Sequence, residues 1–300
     1  MSRAGPAARD RAGWLRRDAE RISGSLPPLL VEAQRLAASL VTGVHGRRRA
    51  GIGETFWQYR AAHPGDPYGA IDWRRSARSD RLYVREMEWE AAETVMVWCD
   101  RSHSMDFRSD FAPRAKAERA ALLTLALGVL LHRGGERYGL MGTEAELPRT
   151  GERQLVRWAG ILSAEPESRP DFGAPPAIMT PRVGRAVLMS DFMGPREVVF
   201  PALMAAAGQG ISGIYLQILD PVEEEFPFAG RTRFESVGRE VRHETDQATA
   251  LRARYLDRLA ERRDELRRAA RRTGWQLVMH RTDQSPRLAL LQLYTILGGS

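Results

Sequence analysis

The sequence predicts an α/β fold: a mainly parallel central sheet with helices on both faces, an N-terminal helical arm and a small β-rich extension. Three observations carry this. Short apolar runs rich in β-branched residues, at 94–99, 186–190 and 211–219, read as buried strands. Stretches of helical periodicity lie between them, and repeated strand-helix alternation implies a parallel sheet joined by right-handed crossovers. Each of the three runs stops on an acid, Asp100, Asp191 and Asp220, and ligands of open α/β sheets sit outside the carboxyl ends of the strands.

In chain order, residues 1–42 form a basic arm. Leu26, Leu29, Leu30, Ala33, Leu36, Ala37 and Leu40 recur at helical spacing behind Pro27-Pro28, an amphipathic helix. It is expected to pack on the body of the protein, or to touch a partner or a membrane surface with help from Trp14 and the flanking arginines. Residues 43–90 are rich in Gly, Arg and aromatics, with a turn at Pro64-Gly65-Asp66-Pro67. Gly51-Ile52-Gly53 is only a fragment of a dinucleotide fingerprint, with Phe56 at the third glycine position. The ion-pair-rich segment 72–85 reads as a structural network that includes Trp73, or as a docking face built on Arg74, Arg78 and Arg85. Residues 82–89 alternate as a half-buried strand.

Residues 91–300 make the α/β domain. After the strand at 94–99, Ser109 or Asp110 is expected to cap a helix with Pro113 in its first turn, and 117–131 is apolar on several faces, a buried crossover helix. Strands follow at 138–142, 187–190 and 211–219, and helices at 154–162 and 198–207. A hairpin (232–235 and 240–243, turning at Val237-Gly238) precedes a long helix with Leu251, Tyr255, Leu259, Leu266 and Ala270 on its buried stripe. A strand at 275–280 and a helix at 287–297 close the chain.

Composition excludes several functions. Of 300 residues 43% are hydrophobic, ample for a core, and the single cysteine leaves no internal disulfide and no Cys/His zinc cluster. No signal-peptide core or bilayer-length apolar run occurs, so the expected location is cytoplasmic. The net charge of +7 sits mostly in residues 1–50, which hold ten Arg and four acids. Lys116 is the only lysine, so arginine richness reflects genome composition in part, and specific nucleic-acid binding is not expected. No phosphate loop, nucleophile elbow or H-E-x-x-H is present.

The chemistry concentrates in residues 94–105, T-V-M-V-W-C-D-R-S-H-S-M. Asp100, Ser102 and Ser104 alternate beyond the strand end, so their three oxygens can converge. One carboxylate plus hydroxyls and waters suits Mg²⁺, or Mn²⁺ in its place. Asp191 faces the same crevice. His103 occupies the variable position between the serines.

D-x-S-x-S followed by S-D at Ser190-Asp191 resembles the metal-ion-dependent adhesion site of von Willebrand factor A domains. With the upstream block at 51–86, from Gly51 and Glu54 through Pro64-Gly65-Asp66 and Ile71-Asp72-Trp73 to Val84-Arg85-Glu86, the chain resembles the bacterial family called domain of unknown function 58. That resemblance implies a von Willebrand factor A-like, Rossmann-type fold. It also implies a non-enzymatic, metal-dependent adaptor or co-chaperone, with a MoxR-like AAA+ ATPase as partner that presents Asp or Glu to the cation. The resemblance also implies two membrane helices near the N-terminus in many relatives, and this chain is expected to be a version without them. The family's further metal-binding threonine is matched by Pro170, with Asp171 beside it as a substitute, and Pro67 and Gly69 replace the acid and arginine that usually follow G-D. Alternatives are a metal-dependent hydrolase at Asp100 and Asp191, and an arginine-mediated nucleic-acid binder.

Overall fold

The computed structural model describes residues 27–41, 56–63, 71–79, 81–87, 92–166, 168–178, 183–208, 210–230, 232–235, 242–245 and 248–298. The arm before residue 27, the turns at Pro64–Pro67 and Val237-Gly238, the Gly51-Ile52-Gly53 fragment and the side chain of Arg85 lie outside the described residues.

The central sheet has five parallel strands: β3 (Thr94–Cys99), β4 (Arg137–Leu140), β5 (Arg185–Ser190), β6 (Ser212–Leu219) and β9 (Gln276–Arg281), in the spatial order β4-β3-β5-β6-β9. Counted within the sheet this is 2-1-3-4-5, a common doubly wound order. The chain leaves β3 toward β4 on one side and leaves β5 toward β6 on the other. The switch point therefore falls between β3 and β5, which pair from Val95↔Arg185 to Cys99↔Met189.

Period-2 alternation sorts the strand side chains onto two covered faces. Val95, Val97, Val187, Met189, Ile214 and Leu216 join one cluster with α1 (Pro28–Val41), α3 (Lys116–Arg133), α4 (Glu152–Ser163) and α8 (Pro286–Gly298). Met96, Trp98, Leu188 and Tyr215 join a second with α5 (Arg196–Ala207) and α7 (Ala248–Thr273). α3 is buried without a break from Arg119 to Leu131, because the sheet lies under it and α1, α4 and α8 lie over it. A helix apolar all round is stable only in such a place.

The amphipathic helix of the arm is α1, and it packs on the body. Leu30, Ala33, Ala37 and Leu40 are buried in the α3 cluster. Among the described residues no helix is long and apolar enough to cross a membrane.

Outside the main sheet, β1 (Phe56–Ala61) pairs antiparallel with β2 (Tyr83–Met87), and β7 (Thr232–Glu235) with β8 (Arg242–Thr245). Between β1 and β2 the single turn α2 (Trp73–Ser76) is capped by Asp72, whose Oδ1 accepts the Arg75 N–H at 2.9 Å. Ser76 faces inward: its hydroxyl donates to the Asp72 carbonyl at 2.8 Å and accepts the Tyr83 N–H at 2.9 Å. One turn cannot bury both sides. Trp73 is left 55% exposed, so it does not anchor the structural network as a core side chain and leaves the docking-face reading of this segment open. Arg74 and Arg78 are exposed beside it.

The expected cap at Ser109 or Asp110 is also corrected. α3 begins only at Lys116, behind Ala115 and past Pro113, and the Ser109 N–H donates instead to Asp220 Oδ2 at 2.9 Å.

Two predictions follow from burial. Leu30→Ala should lower unfolding free energy by about 2–5 kcal/mol, whereas Trp73→Ala should change it by less than about 1 kcal/mol; denaturant titration of both variants checks the contrast. On β9, burial and then the Arg119 guanidinium push the His280 imidazole down to about 4 from 6.5. His280 is neutral in the folded state, so its contribution is complete above pH 6.5 and is lost as pH falls toward 4. The unfolding free energy of His280→Gln, compared with the parent protein across that range, should show a dependence smaller by about 3 kcal/mol.

Candidate metal and partner site

The carboxyl ends of β3 and β5 set the site. The backbone of Asp100 still belongs to the sheet, its N–H donating to the Met189 carbonyl at 2.9 Å, while its side chain has passed the edge. Asp100 is 1% exposed. Its Oδ1 accepts the Ser102 N–H at 2.8 Å, the turn that aspartate makes with the amide two residues on. Its Oδ2 accepts the Ser190 hydroxyl at 2.6 Å. Burial first, then the charge of Asp191, raises the Asp100 carboxyl above its ordinary range, and the bonds from Ser190 and Ser102 offset part of this.

The structure brings Ser102 and Ser104 together. Their hydroxyl oxygens are 3.2 Å apart, on a chain that closes into a 3-10 turn at His103–Asp106. The loop around Pro170 docks onto this turn through its backbone: the His103 N–H donates to the Pro170 carbonyl at 3.0 Å and the Ser104 N–H to the Asp171 carbonyl at 2.8 Å. That docking brings Asp171 beside the serines. Gly173 continues the loop against Asp100, where a Cβ would come within 2.1 Å of Oδ1, so only glycine fits. His103 does not turn to the serines; its Nδ1 lies 3.4 Å from Asp106 Oδ2, and Arg169 Nη1 meets Asp106 Oδ1 at 2.9 Å.

Asp191 closes the other side. Its Oδ1 accepts the Met193 N–H at 3.0 Å, its carbonyl accepts from Gln217 Nε2 at 3.0 Å, and its Oδ2 accepts from Lys116 Nζ at 2.8 Å. Between these anchors Phe192 holds φ at 53°, a left-handed conformation costing a residue with a Cβ about 1–2 kcal/mol. Its ring is wholly buried and meets Tyr215 edge-on at 6.1 Å, which offsets that cost. Asp220, the third strand-end acid, is spent differently: it caps the short helix α6 (Pro221–Glu225) in a capping box with Glu223.

Sequence reasoning missed Lys116 as a site residue. Its ammonium is 1% exposed and also donates to Glu223 Oε1 at 2.6 Å. Burial would lower its pKa, but Asp191 and Glu223 reverse this and hold it above the ordinary lysine range. The available signal was the lone lysine itself in an otherwise all-arginine chain.

The donor chemistry fits a hard cation: a carboxylate under an unfavourable burial charge, two hydroxyls in contact, and a second carboxylate across the crevice. Among the described residues no group of three or more His, Cys, Asp or Glu forms a metal cluster, so hydroxyl and water oxygens would supply the rest of the shell. Beside the loop opens a cleft of about 780 Å³ with Cys99, Arg101 and Arg114 among its walls.

Because the Asp100 pKa is raised, its ionisation opposes folding, and the stability present while it is protonated is lost as pH rises through its folded pKa. Metal-free Asp100→Asn should therefore melt above the parent protein at pH 8, with the gap narrowing on acidification; differential scanning calorimetry across pH measures it.

Comparison with known proteins gives relatives without an assigned activity. Uncharacterized proteins of Mycobacterium bovis and Mycobacterium tuberculosis are 27% identical over 279 residues, covering 89% of this chain and 87% of theirs. Among solved structures, an aerotolerance-related membrane protein from Bacteroides fragilis aligns over 70% of this chain and all of its own, with a TM-score of 0.43 and 16% identity. The conserved hypothetical protein BatB from Bacteroides thetaiotaomicron aligns over the same shares at a TM-score of 0.39 and 15% identity. The family described as Protein of unknown function DUF58 matches residues 58–279, and the chain belongs to that family.

Proposed function

We propose that this protein is a metal-dependent protein-interaction module of the von Willebrand factor A type, working as an adaptor or co-chaperone with a MoxR-like AAA+ ATPase. The observation that carries the reading is the contact of the Ser102 and Ser104 hydroxyls beside Asp100 at the β3 end, next to the β5 end that Asp191 follows. Asp100, Ser102 and Ser104 would hold Mg²⁺ or Mn²⁺, with Asp191 acting through water and Asp171 as a further ligand. A bound cation supplies a position that an Asp or Glu of the partner completes. The exposed Arg74 and Arg78, with Arg85 and His103, are the candidate contacts around it. The ATPase partner rests on the sequence resemblance.

Two observations favour this reading over its rivals. A metal-dependent hydrolase needs a base beside the metal, yet Asp191 is engaged by Lys116 and the Met193 N–H, and His103 by Asp106. A nucleic-acid binder carries an excess of positive charge, whereas residues 51–300 hold 35 basic residues against 34 acids.

The test pairs metal titration with partner capture. Calorimetry should register heat with Mg²⁺ or Mn²⁺ that Asp100→Ala abolishes and Ser102→Ala reduces, and immobilised protein should retain a MoxR-like ATPase with divalent metal and lose it with chelator. Equal capture under both conditions, with no heat of metal binding, overturns the reading.

A further inference from the structure

Lys116 is the only lysine in a chain with forty-five basic residues, and it is buried at the rim of the switch-point crevice. The choice of ammonium over guanidinium has a physical basis. Arginine presents a planar fork suited to one carboxylate face-on, while an ammonium is a compact point charge whose donors can serve acceptors in different directions. Here one donor meets Asp191 Oδ2 at 2.8 Å and another meets Glu223 Oε1 at 2.6 Å, with the Phe107 ring centroid 5.9 Å from Nζ.

This arrangement divides the two strand-end aspartates. Asp191 accepts from a charged ammonium within the protein, whereas Asp100 accepts from the Ser102 N–H and the Ser190 hydroxyl, which are dipoles and not charges. Of the two strand-end carboxylates, a divalent cation entering the crevice meets Asp100 bonded to dipoles and Asp191 bonded to a fixed positive charge. A fixed positive charge on a would-be ligand opposes the approach of a cation, and a water-poor site strengthens that opposition. Glu223 shares the ammonium and is anchored by the α6 capping box, its Oε2 accepting the Asp220 N–H at 2.8 Å.

We infer that Lys116 is a resident monovalent cation of this crevice, a positioning residue that holds Asp191 back from the metal and keeps divalent affinity weak. The inference rests on the metal reading above and deepens it. With an Asp191 oxygen taken by Lys116, Asp100 is the strand-end carboxylate left to meet the metal directly, and the ligand chemistry that completes the shell is a carboxylate from a partner.

The experiment is Mn²⁺ titration of the full-length protein by calorimetry, with thermal unfolding measured with and without Mn²⁺. Lys116→Met alone leaves Asp191 and Glu223 as buried unpaired carboxylates and can fail to fold, so Lys116→Met/Glu223→Gln, which removes the ammonium with one of its two carboxylates, is the second variant. Mn²⁺ affinity in the double variant should rise at least tenfold, its melting temperature should gain more from Mn²⁺ than that of the parent protein, and adding Asp100→Ala should erase both gains. Equal or weaker affinity in the double variant overturns the role of Lys116 while leaving the metal reading intact, and so does a gain that survives Asp100→Ala. Binding in the double variant alone supports the role of Lys116 and overturns metal-dependent function in the parent protein. Binding in neither overturns both.

Discussion

The hydrogen-bonded pairing of β3 with β5, two parallel neighbours whose chains depart in opposite directions, is the constraint on which the rest of the structure depends. From Val95↔Arg185 to Cys99↔Met189 the two strands are locked in register, so the residues that follow them must emerge side by side. Asp100 and Ser190 then bond directly across the gap. Neither crossover helix blocks that gap, since one chain turns away toward β4 and the other toward β6. The crevice is a consequence of topology, and the polar residues within it are what this sequence adds.

Burial explains how polar groups behave in that crevice. Asp100, Ser102, Asp191 and Lys116 are all nearly inaccessible to water, and a buried polar group is tolerated only with partners in place. The turn amide of Ser102, the hydroxyl of Ser190, the amide of Met193 and the ammonium of Lys116 supply them. Removing one partner of such a buried ion pair typically costs about 3–5 kcal/mol, so Lys116, Asp191 and Glu223 also tie α3, β5 and α6 together. The charge that would tune a metal site therefore also holds the metal-free site in shape.

The family block upstream of β3 has a different physics. Asp72 is used to cap a single helical turn, and Ser76, not Trp73, faces the strand. A four-residue turn over a two-stranded sheet has too little surface above it to bury an indole, and Trp73 with its neighbouring arginines is left facing solvent. Large exposed aromatics rimmed by arginine are more typical of contact surfaces than of scaffolds.

By itself the sequence determined the elements and the faces they bury. Period-2 runs such as T-V-M-V-W-C and the unbroken apolar stretch in α3 have no stable home except under covering layers, so their burial is written in their chemistry. The D-x-S-x-S loop was legible for the same local reason, because alternation beyond a strand end fixes which oxygens can meet. Tertiary structure decided what depends on residues far apart in the chain. Lys116 reaches Asp191 and Glu223 across 75 and 107 positions, the Ser109 N–H reaches Asp220 across 111, and Gly173 is required by the Asp100 carboxylate it covers. Periodicity encodes a residue's relation to its own element, whereas the partner of a buried charge is set by how the elements pack.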